Sequence, residues 1–447
     1  MVAISGLLFG LMVMLCHHLL QDEKAYALVD GHVQTYQRVD NPDGSWTANK
    51  VRQPFTAPTD SNMLSWDAIH YYEISQYLYS PDKMWSGNFA FFPLFPLIWR
   101  LSYLGPIGIA ALNYLLYLAG LVLVVLLFCK NIPRWKFLLL LCAPMTVIYM
   151  IPYSEALFFI TIALGLYGMV RRRYWLFFVG FFLACATRAA GNILAVAFVI
   201  TDVLVGLRNR DSFSKTLLNA LRHLAPIVAA VLAVVLFQHL RGAEHWFEYV
   251  LAQQQWGKEL SWPSWPFTDW SEEGASVSQP LIFMLTMPAL AWLAIQLRKA
   301  LKLQTIELAD ERYRLRLLSV LFFVGNVTLA LLTQHGCFFS QARLLTCTPF
   351  FAFLLVDMAD AKKSRGWQII MTLMLVGTAV VMLGLPYLPH RAAAGSVMVF
   401  MLAVMIFFGD RLPVWLRYPM LAAAVVLNIG WTAYLFNCFL TNGYIFT

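Results

Sequence analysis

Ala156-Leu157-Phe158-Phe159-Ile160-Thr161-Ile162-Ala163-Leu164-Gly165-Leu166-Tyr167-Gly168-Met169-Val170, then Arg171-Arg172-Arg173, then Tyr174-Trp175-Leu176-Phe177-Phe178-Val179-Gly180-Phe181-Phe182-Leu183-Ala184-Cys185-Ala186, decides the fold. Two uncharged apolar stretches flank a triple arginine. In lipid, such stretches satisfy their backbone polar groups internally as helices. Arginines clustered between them mark a loop retained on the cytoplasmic side. The two stretches are therefore expected to be arms of two neighbouring membrane hairpins that meet at this loop, with Glu155 and Arg188 each at a hairpin tip.

The same pattern recurs along the chain. It is 60% hydrophobic and 13% charged over 447 residues, against about a quarter charged in an ordinary soluble protein. Its mean hydropathy is +0.65. The formal charge of +8 is no nucleic-acid footprint, because the basic residues sit in short clusters between apolar runs. These clusters are Lys130, Arg134 and Lys136; Arg171 to Arg173; Arg208, Arg210 and Lys215; the stretch 298–316; Lys362, Lys363 and Arg365; and Arg411 with Arg417. No domain-sized polar segment remains to bind nucleic acid.

Basic loops on one side must be separated by an even number of crossings. That places hairpins at 137–170, with its tip at 151–155, and at 174–207, broken around 187–191. Further pairs fall at 217–240 with 281–297, 317–334 with 344–356, and 367–385 with 393–408. A first helix covers 2–20, a second ends near Phe128 and a last covers 420–439. The expected fold is an all-α polytopic membrane protein, one integral-membrane unit over 1–447. It has about 13 transmembrane helices of the usual ~20 residues, with the N-terminus inside and the C-terminus outside. The apolar run 7–20 followed by Ala25-Tyr26-Ala27 resembles a secretory signal, but nothing basic precedes it, so a retained span is expected.

Polar residues then collect on the outer face. The first outer loop is 21–88 and the second is 241–277, with shorter tips at 151–155, 186–192, 335–343 and 386–391. The seven cysteines lie in or beside apolar spans without a CxxC pair, which argues against a disulfide framework or a structural zinc site.

Within the first loop, Trp66-Asp67-Ala68-Ile69-His70-Tyr71 precedes Asn88-Phe89-Ala90-Phe91-Phe92-Pro93-Leu94-Phe95-Pro96-Leu97. Residues 64–79 read as a helix on the membrane surface, with Asp67 and His70 on one face. The aromatic-proline run then returns the chain to the bilayer. An Asp at a helix start is often a cap. Here, held at the membrane surface, Asp67 also suits a catalytic base, with Trp66, His70 and Phe92 beside the substrate. Glu155, Arg188 and Arg343 are ionisable groups next to apolar arms, where unpaired charge costs several kcal/mol. They could be salt bridges between hairpins; two arginines on the outer face also suit a phosphate. In the second loop Trp246, Trp256, Trp262, Trp265 and Trp270 alternate with Gln253 to Gln255. Aromatic-belt anchoring explains most of them, while Gln255 and Trp256 also suit a sugar ring and its hydroxyls.

Trp66-Asp67-Ala68, Asn88 to Pro93 with Phe95-Pro96-Leu97, and Tyr153-Ser154-Glu155-Ala156-Leu157-Phe158 occur in the order and spacing seen in the second mannosyltransferase of GPI-anchor synthesis, and the chain resembles that PIG-V family. Thr187-Arg188 with Gly191 is similar to its arginine motif, Arg343 ahead of Pro349 to its late arginine, and Gln255-Trp256-Gly257-Lys258 to a segment of bacterial members. Ser65 and Ala189-Ala190 depart from the family pattern. The resemblance implies the GT-C superfamily of membrane glycosyltransferases. These take a sugar, here mannose by family, from a polyprenyl- or dolichyl-phosphate carrier on the outer or lumenal face.

The residues fit that chemistry independently. Asp67 would take the proton of an acceptor hydroxyl on a glycolipid or glycan, and Arg188 and Arg343 would hold the donor phosphate. Glu155, Gln255, Trp256, Trp66, His70 and Phe92 would contact substrate. No Asp/Glu/His cluster calls for a metal, so a metal-independent reaction without a cofactor is expected. Short loops and the Gln255-Trp256 segment favour a bacterial inner membrane with a periplasm-facing site over an endoplasmic-reticulum membrane with a lumenal one. The rival reading is a polytopic transporter or lipid flippase with intramembrane charges, although no internal repeat is evident. A non-catalytic assembly subunit is a third.

Overall fold

A computed structural model describes residues 2–27, 34–40, 42, 46–52, 54–128, 134–141, 145–262, 278–301, 310–333, 340–360, 372, 376, 401–402, 404–405 and 408–443. It is an α-helical, membrane-embedded bundle. Among the described residues six helices are long and apolar enough to cross a membrane: α1 (Val2–Leu19), α5 (Pro106–Phe128), α9 with its leading turn (Ala189–Asn209), α10 (Phe213–Leu240), α13 (Glu311–Thr333) and α16 (Val414–Leu440). Two shorter apolar helices, α7 (Glu155–Val170) and α8 (Tyr174–Thr187), are joined through Arg171 to Arg173 and pack against each other. A Cβ on Gly180 would lie 2.2 Å from the Gly165 nitrogen. The two helices therefore meet backbone to backbone, an approach only very small residues permit.

From that pair the bundle grows by neighbours. The turn after α8 breaks at Arg188, passes through a 3-10 turn (Ala189–Asn192) and enters α9. α10 returns across α8 and α9, α13 packs on α9, and α1 lies between α16 and α5. The bundle thus has two ends. One collects Glu155, Arg188, the end of α10 and the last turn of α13; the other carries Arg171 to Arg173, Arg208 and the first turn of α13. They are called the site end and the basic end below.

Several boundaries differ from the sequence expectation for identifiable reasons. The surface helix predicted over 64–79 starts later: a 3-10 turn (Asn62–Leu64) stops at Ser65, and α3 runs over Asp67–Tyr77. Trp66, at φ 53° and ψ −130°, cannot belong to a right-handed helix. The run after Phe92 is not one continuous crossing helix. It forms α4 (Leu94–Ser102), whose nine residues reach about 14 Å, and the crossing helix begins at Pro106. The arm expected from 137 is interrupted: α6 (Arg134–Leu141) and a 3-10 turn (Thr146–Met150) replace a continuous helix. The span expected over 344–356 is likewise two pieces, α14 (Gln341–Thr346) and α15 (Pro349–Asp360). Proline cannot donate the helix hydrogen bond, and its ring crowds the preceding turn.

The first polar loop contains a short α2 (Glu23–Ala27) and the one antiparallel hairpin among the described residues, β1 (Gln34–Asp40) with β2 (Trp46–Arg52), registered Gln34 to Arg52 and Asp40 to Trp46. Farther along, the loop is tied to the last helix. Thr56 donates its backbone N–H to Asn437 Oδ1 at 3.0 Å, and Trp66 Nε1 donates to the Gly443 carbonyl at 3.0 Å. The second polar loop carries α11 (Glu248–Leu251) and a 3-10 turn (Ala252–Trp256). Between α11 and α13 lies α12 (Ser278–Leu301). The hairpin expected at 367–385 with 393–408, the tips at 335–339 and 386–391, and Trp265 and Trp270 lie outside the described residues or nearly so.

Candidate active site

Four charged side chains from four segments meet at the site end. Arg343 Nη1 stands 2.8 Å from Asp67 Oδ2, and its Nε stands 3.0 Å from Glu155 Oε1. Arg188 Nη1 pairs with the same Glu155 oxygen. Side-chain exposure is 21% for Asp67, 3% for Glu155, 11% for Arg188 and 9% for Arg343. In so dry a place none of these charges could be held alone, so each carboxylate is matched by a guanidinium. The sequence reading placed these residues near one face; the structure brings them into direct contact.

Each is delivered by a break in regular structure. Asp67 is the first residue of α3, directly after Trp66 in its left-handed conformation. Such backbone costs about 1–3 kcal/mol unless its surroundings hold it. Here the Trp66 indole bond to Gly443 supplies one tether, and the Tyr153 hydroxyl accepts the Asp67 backbone N–H at 3.3 Å. The N-cap residue is Trp66, which makes no side-chain cap, and the Asp67 carboxylate is turned to Arg343. Glu155 opens α7 beneath a segment pinned by Asn113 of α5, whose Nδ2 donates to the carbonyls of Ile151 at 2.8 Å and Tyr153 at 2.7 Å. Arg188 is the extended residue closing α8, and its Nη1 also donates to Ser154 Oγ at 3.2 Å. Ser154 Oγ in turn shares a 2.7 Å hydrogen bond with the Tyr71 hydroxyl. Arg343 follows Ser340, at φ 61°, in the first turn of α14 and lies 5.2 Å over the Tyr153 ring.

The electrostatics set the state of Asp67. Burial is the strongest single influence and pushes its pKa up. Arg343, by charge and hydrogen bond, with Arg188 and His70 behind it, outweighs burial and holds the carboxyl below its ordinary value. Asp67 therefore stays ionised, in proton-accepting form, throughout the neutral range.

A second group stands one helical turn along α3. His70 Nδ1 is 2.7 Å from Asn88 Oδ1, and buried Asn88 donates to Glu73 Oε2 at 2.8 Å. The imidazole stacks on Phe91 at 5.2 Å and meets the Trp256 ring edge-on at 5.0 Å. Trp256 Nε1 donates to the Gly87 carbonyl at 3.0 Å, while the Gln255 amide and Ser86 hydroxyl bond each other at 3.0 Å. The second polar loop is thereby strapped onto the first beside the charged quartet. Phe92, expected to touch substrate, is buried and packs against Tyr249 at 5.1 Å. It is a core residue, and its neighbour Phe91 faces His70 in its place.

Sequence reasoning passed over Asn88, Asn113, Tyr153 and Ser154 as site residues. All but Asn113 stand in the quoted motifs, and Asn113 is a polar residue inside an otherwise apolar helix, which was a usable signal. Among the described residues, no group of three or more His, Cys, Asp or Glu side chains is placed to hold a metal ion. No family model, curated protein or solved structure matches the chain at significant similarity.

Proposed function

We propose that the protein is a membrane glycosyltransferase that moves a hexose, mannose by its resemblance to the PIG-V family, from a polyprenyl-phosphate carrier to an acceptor hydroxyl with inversion. The observation that carries this reading is the convergence of Asp67 with Arg343, Glu155 and Arg188 in one nearly dry cluster at the site end of the bundle. About 13 spans of a GT-C-like fold, a periplasm-facing site in a bacterial inner membrane, and reaction without a metal belong to the same reading.

The reaction needs a base and an acceptor for negative charge. As the acceptor oxygen bonds the anomeric carbon, the bond from that carbon to the phosphate oxygen breaks, and its electron pair leaves with the phosphate. The hydroxyl proton passes to Asp67. Protonation removes the charge that engaged Arg343, so the guanidinium becomes free to stabilise the second negative charge now developing on the leaving polyprenyl phosphate. Glu155 keeps Arg188 and Arg343 in place while this happens. A positioned base contributes about 10² to 10⁴ in rate, and preorganised cations aimed at developing charge add to it.

The test is turnover of short-chain prenyl-phosphate hexoses by the purified protein, with mannose among the sugars. Asp67→Asn keeps shape and removes the base; it should lose transfer by at least about a hundredfold while still inserting and folding. Near-normal turnover by that variant would remove Asp67 from the chemistry.

A further inference from the structure

The charged quartet serves a proton and a phosphate, but nothing in it recognises the sugar between them. A second built group stands one turn along α3. Asp67 and His70 are three residues apart on that helix and share a face, with β-carbons about 5–6 Å apart, comparable to the width of a hexose ring. Tyr71, next in the chain, is tied through Ser154 Oγ to Arg188. The turn that carries His70 is therefore fixed directly against the quartet.

Two partners decide which edge of the imidazole is left to bind. The Glu73 carboxylate accepts hydrogen bonds and has none to give, so the Asn88 group 2.8 Å from its Oε2 is the amide Nδ2. That turns Asn88 Oδ1 to His70, and an oxygen 2.7 Å from Nδ1 requires the ring proton to sit there. In the neutral ring Nε2 is then the bare nitrogen, a hydrogen-bond acceptor only. The two ring nitrogens face nearly opposite ways, so Nε2 is directed away from Asn88. His70 is half-buried, and among the described residues its Nε2 makes no hydrogen bond. Packing holds the ring still: Phe91 stacks on it with planes 21° apart, and Trp256 and Trp85 meet it at 5.0 and 5.8 Å. The 3-10 turn of the second polar loop is the strap that keeps Trp256 in place. Gln255 bonds Ser86, Trp256 donates to the Gly87 carbonyl, and downstream Ser261 donates its backbone N–H to the Leu332 carbonyl at the end of α13. Trp85 is 44% exposed, and its indole lies on Gly87, where a Cβ would come within 2.4 Å of it. A fixed acceptor nitrogen beside an exposed indole suits a hydroxyl carried on a ring with an apolar C–H face.

We propose that His70 is a specificity residue for the donor sugar: Glu73 and Asn88 hold its imidazole in the one tautomer whose free nitrogen accepts a hydrogen bond from a hydroxyl of the hexose. This rests on the glycosyltransferase reading and extends it from the base and the cations to the sugar. The sugar is the part of the donor that must lie there. Its anomeric carbon is attacked by the oxygen that Asp67 deprotonates and is bonded to the phosphate at the arginines, so the ring lies beside Asp67, with His70 one turn away. A phosphodiester has no proton to donate to Nε2, and a prenyl chain has neither donor nor acceptor; a sugar hydroxyl has the donor that Nε2 lacks.

The experiment is isothermal titration of the full-length protein in detergent with farnesyl-phosphate mannose, its monodeoxy analogues, and farnesyl phosphate without a sugar. Wild type is expected to bind one of the analogues about tenfold more weakly than the parent, the cost of one lost hydrogen bond. His70→Phe keeps the aromatic packing and removes both nitrogens, so the parent should weaken by the same factor and that analogue should bind as well as the parent. Farnesyl phosphate should bind wild type and His70→Phe alike, which separates a lost hydroxyl contact from a misfolded site. Glu73→Ala leaves the ring in place and frees Asn88 to turn over, so discrimination against the same analogue should fall. Where His70→Phe loses farnesyl phosphate as well, Glu73→Ala decides alone, and full discrimination in it overturns the relay. An analogue penalty of equal size in wild type and His70→Phe, or no penalty for any analogue in wild type, overturns the role of His70 and leaves the reading of the quartet standing. No binding of the mannosyl donor by wild type overturns both.

Discussion

The protein builds a charged cluster at each end of its bundle from the same residue types, to different effect. At the basic end Asp357 of α15 receives Arg312 Nε at 2.7 Å and Arg316 at 2.5 and 2.9 Å, so both its oxygens are used. Nearby, Asp202 of α9 is 2.7 Å from His223 Nδ1 of α10. These partners stand on regular helices that are already neighbours, and the arginines are a third to a half exposed. That cluster joins helices. At the site end the four charges come from chain breaks, Asp67 directly after Trp66 and Arg343 three residues after Ser340, both of positive φ, and exposure of the two arginines falls to 9–11%. Glu155 Oε2 finds no hydrogen-bond partner among the described residues. Ion pairs at solvated helix ends cost little to assemble. A quartet assembled from strained segments, with polar capacity to spare, is organised for something that arrives.

Removing the shared carboxylate at each end gives the largest contrast. Glu155→Gln leaves two nearly buried guanidiniums short of charge, which should cost about 3–5 kcal/mol and abolish transfer. Asp357→Asn leaves Arg312 and Arg316 free to turn to water, so roughly 1 kcal/mol is expected, with turnover per folded molecule unchanged. Thermal unfolding in detergent beside a transfer assay reads both. Equal stability losses, or activity lost with Asp357, would erase the distinction between the two clusters.

A smaller effect concerns pH. Because the Asp67 carboxyl is held below its ordinary value, its charge favours the folded site above the ordinary carboxylate range, and that contribution is lost as pH falls through the depressed pKa. The acid limb of transfer should therefore lie below the ordinary carboxylate range. In Arg343→Gln the chief counterweight to burial is gone, so the Asp67 pKa rises and the acid limb of the residual activity moves toward neutral pH. A limb that stays in place would show that Asp67 does not set it.

What the sequence revealed of the site followed from contrast. Asp67, Glu155, Arg188 and Arg343 are legible because each is a lone charge beside apolar residues, where a charge must be explained. Their mutual contact was not, because no periodicity links four distant segments. The helices α7 and α8 were readable as two uncharged apolar arms on either side of three arginines, and the break at Arg188 from Thr187 to Gly191. The interrupted arm at 137–150 had its signal in Pro144, and the split of α14 from α15 in Pro349. The β-hairpin was missed because Gln34–Asp40 and Trp46–Arg52 carry no clean apolar alternation, although Asp43-Gly44 between them is a hairpin turn signal.

The smallest expected effect compares one left-handed residue at each end. Gly257 in the strap has φ 65°, and nothing lies within 4 Å of the place a Cβ would take. Gly257→Ala should therefore cost only the backbone penalty, about 1 kcal/mol. Because the strap holds Trp256 against His70 beside the quartet, the substitution should also raise the donor KM a few-fold with little change in kcat. At the basic end Arg210 closes α9 at φ 56°, and its N–H is bonded back to Gly206 and Leu207. Glycine suits that cap position better, so Arg210→Gly should stabilise the protein by up to about 1 kcal/mol and leave the donor KM alone. Melting temperatures and donor titrations of the two variants separate backbone relief from site geometry. A donor KM that moves with Arg210→Gly, or stays fixed in a destabilised Gly257→Ala, would mean that the strap does not carry the donor contact.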